Sequence, residues 1–188
     1  MKKSSVDWNK WHQNLAKVLH STDQANGLTV LLYALENLVD ASSGLVTKYV
    51  TGEKPEITHQ RLLASESKQL QISSYSSGAY LLDPFYRFAY DLKKTGVFTL
   101  KQVAPNGFVE SEYYRLFYSQ LDIQDEICLI IRPECDVIFS ISLARLGGKV
   151  QFSAQEIVTL EVVFSVVQAI LTNWYLANNS QKPAQIIP

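Results

Sequence analysis

Apolar residues recur at three- and four-residue spacing in two N-terminal stretches. Trp8, Trp11, Leu15, Val18 and Leu19 do so within 6–19, and Leu28, Leu31, Leu32, Leu35, Leu38 and Val39 within 27–39. Each spacing draws one apolar stripe along a helix, and the first helix is expected to sit outside the core and offer its stripe to another subunit. After Ala41-Ser42-Ser43-Gly44 the period changes: 45–50 (LVTKYV) reads as a strand, 51–55 (TGEKP) as a turn and 57–60 as a short returning strand. The more polar stretch 61–77 reads as loop plus a helix of undefined limits.

Asp83-Pro84 marks a helix start, since Asp accepts from free amides of the first turn and Pro at the first helical position gives up no bonded N–H. Phe85, Phe88, Ala89 and Leu92 follow at i, i+3, i+4 and i+7, and Gly96 closes the end. Val97-Phe98-Thr99-Leu100 is expected to be extended, Pro105-Asn106-Gly107 a turn, and Ser111 the cap of a helix carrying Tyr114, Phe117, Tyr118 and Leu121.

The segments 126–132 (EICLIIR) and 137–145 (VIFSISLAR) read as an antiparallel strand pair. In the second, Val137, Phe139, Ile141 and Leu143 share one face while Ser140, Ser142 and Ala144 share the other. One face is therefore oily, and the other is small and polar with room for something else. Ser153-Ala154-Gln155-Glu156 is a capping box, with Phe152 and Ile157 as its hydrophobic staple. It launches a long helix to about Asn178, apolar around most of its circumference, so burial on more than one side or a dimer interface is expected. The polar tail 178–188 reads as a linker leading out of a domain that spans 1–177, with N-terminal helices over 1–40 and the long helix over 153–177.

Composition narrows the possibilities. The chain has 188 residues, a formal net charge of −1 and a pI near 6.3, with no basic patch suited to nucleic acid. The N-terminus lacks the apolar run of a secretory signal. Glu161 and Gln168 interrupt the most apolar stretch, 157–171, which reads as too short for a membrane span. A cytoplasmic location follows as the expectation, and with it buried free thiols at Cys128 and Cys135 in place of a disulfide. The histidines, His12, His20 and His59, do not make a metal-site spacing, and the chain shows no phosphate loop and no nucleophile elbow, so no enzyme, metal or cofactor is expected.

Most of the ten tyrosines and five of the eight phenylalanines fall within 75–118, a density suited to walling an apolar pocket. Buried phenols need partners, and the tyrosines among Tyr80, Phe98, Tyr113, Tyr114 and Phe117 favour a pocket over plain core.

The element order is that of an α/β (α+β) sandwich of PAS or GAF type: a central antiparallel sheet of about five strands, helices on both faces and long terminal helices. Gly78-Ala79-Tyr80-Leu81-Leu82-Asp83-Pro84-Phe85-Tyr86, Gly96-Val97-Phe98, Ser111-Glu112-Tyr113-Tyr114 with Phe117-Tyr118, and Phe152-Ser153 with Glu156 carry a closer likeness. Over roughly 75–174 the chain resembles the GAF-like N-terminal sensor domain of LuxR-type helix-turn-helix transcriptional regulators. Acyl-homoserine-lactone receptors of that group use an Asp after a tyrosine-bearing stretch to accept from the ligand amide. Asp83 matches that position, with Tyr75 and Tyr80 near the pocket aromatics; their tryptophan before the tyrosine is absent here, and their later Phe-x-Trp is matched only by Val97 to Leu100.

The resemblance implies a sensor of a small molecule of unspecified identity, held by Tyr75, Tyr80, Asp83, Phe98, Tyr114, Phe117, Ser140 and Ser142. It also implies a homodimer through the C-terminal helix, and action on DNA only through a domain outside this chain. A cavity of roughly 300 Å³ or more would favour the sensor, and a filled interior a constitutive dimerisation module.

Overall fold

The computed structural model describes residues 6–20, 24–61 and 73–179. Most of the helix expected within 61–77, and all but the first two residues of the tail 178–188, lie outside the described residues. The elements run α1 (Trp8–His20), α2 (Gln24–Val39), β1 (Ser43–Val50), β2 (Glu56–Arg61), α3 (Pro84–Leu92), β3 (Gly96–Thr99), α4 (Leu100–Val103), β4 (Ile123–Glu134), β5 (Val137–Leu146) and α5 (Ala154–Asn179). The strands form one antiparallel sheet in the order β2-β1-β5-β4-β3, with helices on both faces, the sandwich expected from the element order.

Alternation along β5 sorts the two faces. Phe139, Ile141 and Leu143 are fully buried with Val46, Ile127, Leu129 and Ile131 under α1, α2 and α5. Complete burial of such a side chain contributes about 1.5–3 kcal/mol, so this face anchors the domain. The opposite face carries Leu45, Thr47 and Tyr49 of β1, Cys128 and Ile130 of β4, and Ser140, Ser142 and Ala144 of β5, and it lies under α3 and the aromatic segment.

Three expectations are corrected. α1 does not stand outside the core: it packs on α2 and buries Trp11 and Val18, while Trp8 and Leu19 stay exposed. Cys128 is buried but Cys135 is exposed, because it falls in the β4–β5 turn and not in a strand. The apolar C-terminal stretch is not too short for a membrane: α5 has 26 residues, about 39 Å at 1.5 Å per residue, and is long and apolar enough by length and composition to cross one. Its stripe of Leu160, Val163, Val167, Leu171 and Tyr175 is nonetheless packed into the sheet's core.

Beside that stripe α5 buries Thr159 and half-buries Ile157, Phe164, Ile170 and Trp174 against the core, while among the described residues Val158, Val162, Val166 and Leu176 stay exposed. The capping box forms as read, with the Ser153 N–H and hydroxyl both donating to Glu156 Oε2 at 2.8 Å. Glu156 Oε1 also accepts from buried Arg145, which donates to the carbonyls of Val39, Val150 and Gln151. One guanidinium thus ties the ends of α2, β5 and α5, and its burial is compensated by these bonds.

Candidate functional site

A partly enclosed cavity of about 120 Å³ lies between the small-residue sheet face and the aromatic segment. Its floor is Leu45, Thr47 and Tyr49 of β1, Ser142 and Ala144 of β5, and Glu126 of β4; Ile57 of β2 closes one side, and Tyr75, Asp83, Tyr113, Phe117 and Tyr118 form the roof. The space exists because β5 presents Ser142 and Ala144 where larger side chains would reach the roof. The register sets Ser142 opposite Leu45 and Cys128, and Ala144 opposite Ser43 and Glu126.

The roof is shaped by two local devices. Asp83 caps α3, its backbone extended at φ −66°, ψ 120°, and its Oδ1 accepts from the Phe85 N–H at 2.8 Å, the cap read from the sequence. Residues 114–118 form a π-helical turn, wider than an α-helical one, which lets Tyr113, Phe117 and Tyr118 all turn inward. Ser111 caps that segment, accepting from the Tyr114 N–H at 3.1 Å.

A hydroxyl chain runs across the cavity. The Tyr75 hydroxyl donates to Asp83 Oδ2 at 2.6 Å and lies 2.7 Å from the Tyr49 hydroxyl, which must therefore donate to Tyr75. The Tyr86 N–H and the Tyr113 hydroxyl also bond Asp83. Burial pushes the Asp83 carboxyl up, against the pull of these four donors downward. Burial likewise raises the phenols of Tyr49, Tyr75, Tyr113 and Tyr118 well above their ordinary value, so they serve as donors.

A second carboxylate faces the same space. Glu126 accepts from the Tyr118 hydroxyl and from Ser142, and burial, followed by the nearby charge of Asp83, pushes its carboxyl up to about 7. A carboxylate offers about four acceptor sites. Those of Asp83 are occupied by protein donors, whereas Glu126 has two in use. Among the described residues none of the ion pairs involves either group, and no Lys, Arg or His lines the cavity.

Of the eight residues singled out in the sequence, Tyr75, Asp83, Phe117 and Ser142 line the cavity together. Tyr80, Phe98, Tyr114 and Ser140 do not. Tyr80 packs behind Tyr75 and edge-on against Tyr86, at ring-centroid distances of 6.3 and 5.0 Å. Phe98 lies under α3 against Phe88 at 4.7 Å, because β3 is at the far edge of the sheet. Tyr114 stacks on the outer side of Tyr118 at 5.8 Å. Ser140 is buried with its hydroxyl 3.2 Å from the Cys128 thiol.

Glu126 and Tyr49 were missed. The signal for Glu126 was its period-two relation to Cys128 and Ile130, which sets an acidic residue on the inner face of a strand. Arg132 of β4 donates to the Ala89 carbonyl in α3 and so ties that helix to the sheet.

No protein-family model matches the sequence, and no curated protein matches it either. Solved structures do share the fold. The ligand-binding domain of VqsR from Pseudomonas aeruginosa superposes with a TM-score of 0.76 at 23% identity, over 88% of this chain and 96% of that one. CepR2 from Burkholderia cenocepacia, an N-acylhomoserine-lactone-dependent LuxR-family transcription factor, gives 0.68 at 10% identity over 93% and 98%. The phycoerythrobilin-bound GAF domain of a cyanobacterial phytochrome gives 0.59 at 8% identity over 94% and 100%. The chain has the GAF-like fold that these sensor domains use.

Proposed function

We propose that this chain is the small-molecule-sensing and dimerisation domain of a LuxR-type transcriptional regulator, acting in the cytoplasm on DNA through a domain outside the chain. The observation that carries the reading is the cavity, a concave, mostly apolar space with a few converging polar groups, on a fold shared with ligand-binding regulator domains. The ligand sits between Ser142 and the roof made by Tyr75, Asp83 and Phe117. Its binding favours one arrangement of the aromatic segment and α5, and does so only by the difference in its affinity for the two arrangements. The exposed stripe Val158, Val162 and Val166 supports pairing of two copies through α5, since a monomer gains nothing by leaving that row in water.

One observation favours a second reading. At about 120 Å³ the cavity falls short of the roughly 300 Å³ expected of an ordinary small-molecule site, as it would in a constitutive dimerisation module. Native mass spectrometry of the purified protein separates the two. A dimer carrying a discrete added mass supports the sensor. A bare dimer that shows no thermal shift across acyl lactones, aromatic metabolites and amines supports the module.

A further inference from the structure

The cavity's walls also restrict what it can hold. Its lining is rich in aromatic rings, acceptor sites remain open on Glu126, and among the described residues no positive side chain lines it. An anionic ligand would meet two carboxylates with nothing to offset them. A neutral donor would leave Glu126 without a countercharge. A cation satisfies both, through a charge-assisted hydrogen bond to Glu126 and attraction to the faces of the surrounding rings. Size adds a limit: at 10–15 Å³ per enclosed water, 120 Å³ holds on the order of eight waters, or an organic molecule of similar bulk.

Taking the cavity as the sensing site, we infer that its ligand is a small organic cation, a protonated amine on a compact apolar body, with the ammonium against Glu126 and the body against Phe117 and Ala144. Asp83 does not take the charged head. Its acceptor sites are filled by Phe85, Tyr86, Tyr75 and Tyr113, so it holds the roof in place and is a positioning residue.

The test uses the full chain and two matched series of probes at pH 7.5: benzylamine, benzyl alcohol and benzoate, and hexylamine, hexanol and hexanoate. Calorimetry and thermal shift read the binding. The amines are expected to bind and to raise the melting temperature, with the alcohols at least about tenfold weaker and the acids weaker still, the scale of a charged over a neutral hydrogen bond. Glu126→Gln should cut amine affinity by about tenfold or more and change alcohol affinity by less than about threefold. Glu126→Asp, which keeps the charge, should retain the preference for amines. Ala144→Leu, which fills the space, should abolish binding of both.

If alcohols or acids bind as tightly as amines and Ala144→Leu blocks them, the sensing site stands and the cationic class is wrong. Amine binding that neither Glu126→Gln nor Ala144→Leu alters overturns the placement. If none of the six probes binds, the cationic class is wrong, and the sensor reading is decided separately by the added mass in native mass spectrometry. Should Glu126→Gln not fold, the ranking of the six probes on the wild-type protein decides the charge class alone.

Discussion

Replacing Glu126 with Gln should make the ligand-free protein more stable, and by an amount that grows with pH. The carboxyl titrates near 7 in the folded protein against 4.5 as its ordinary value. A raised carboxyl pKa means that the folded state holds the proton more tightly than the unfolded chain. Its contribution is therefore complete below about pH 4.5, declines as pH rises toward 7 and is gone above it. A difference of about 2.5 pH units corresponds to about 3 kcal/mol at 1.36 kcal/mol per unit, an upper figure because the residue keeps some solvent contact. The groups facing it are Asp83 and Asp125, whose charges raise it, Tyr118 and Ser142, which donate to it, and the neutral Tyr113 and Cys128. Gln keeps the shape, still accepts from Tyr118 and never ionises. Thermal melts of both proteins from pH 4.5 to 8.5 should diverge, the variant gaining about 6–12 °C relative to wild type at the alkaline end, at about 2–4 °C per kcal/mol for a domain of this size. A wild-type–variant difference that stays constant across that range would refute the reasoning.

Three other outcomes follow from the geometry. Asp83→Ala removes the α3 cap and strands the Tyr75 and Tyr113 hydroxyls, which should cost about 3–5 kcal/mol in urea unfolding; Asp83→Asn, still able to cap, should cost less than half of that. Gly44→Ala would set a Cβ 2.8 Å from Glu36 Oε1 and 3.1 Å from Leu32 Cδ2, displacing the carboxylate that pairs with Arg61, and should cost about 1–3 kcal/mol by denaturation. Val162→Glu with Val166→Glu should convert the proposed dimer to monomers in analytical ultracentrifugation with helix content unchanged, because both side chains are exposed within one chain.

What the sequence made legible was local. The Asp83 cap, the Ser153–Glu156 capping box and the alternation of β5 each depend on a few neighbouring residues, and all three form as read. The size of the cavity and the partners of Asp83 depend on register between distant segments, which no period records. Glu126 reaches the cavity only because β4 sets it opposite Ala144, and Phe98 misses it only because β3 is the far edge strand. Ser140 and Ser142 alternate identically and both bond the Cys128 thiol, yet only Ser142 also opens onto the cavity. The sequence treats Tyr113 and Tyr114 alike as pocket aromatics, whereas Tyr113 is buried on the cavity and Tyr114 is half-buried against Tyr118 outside it.

The central claim is that a small amine occupies the space between Glu126 and the aromatic roof. A crystal structure of the protein grown with saturating benzylamine tests it most directly. The account predicts a bound ring beside Phe117 and Ala144 with its nitrogen within hydrogen-bond distance of Glu126. Ordered water alone in that space, with Tyr75, Tyr113 and Tyr118 unmoved, would contradict it.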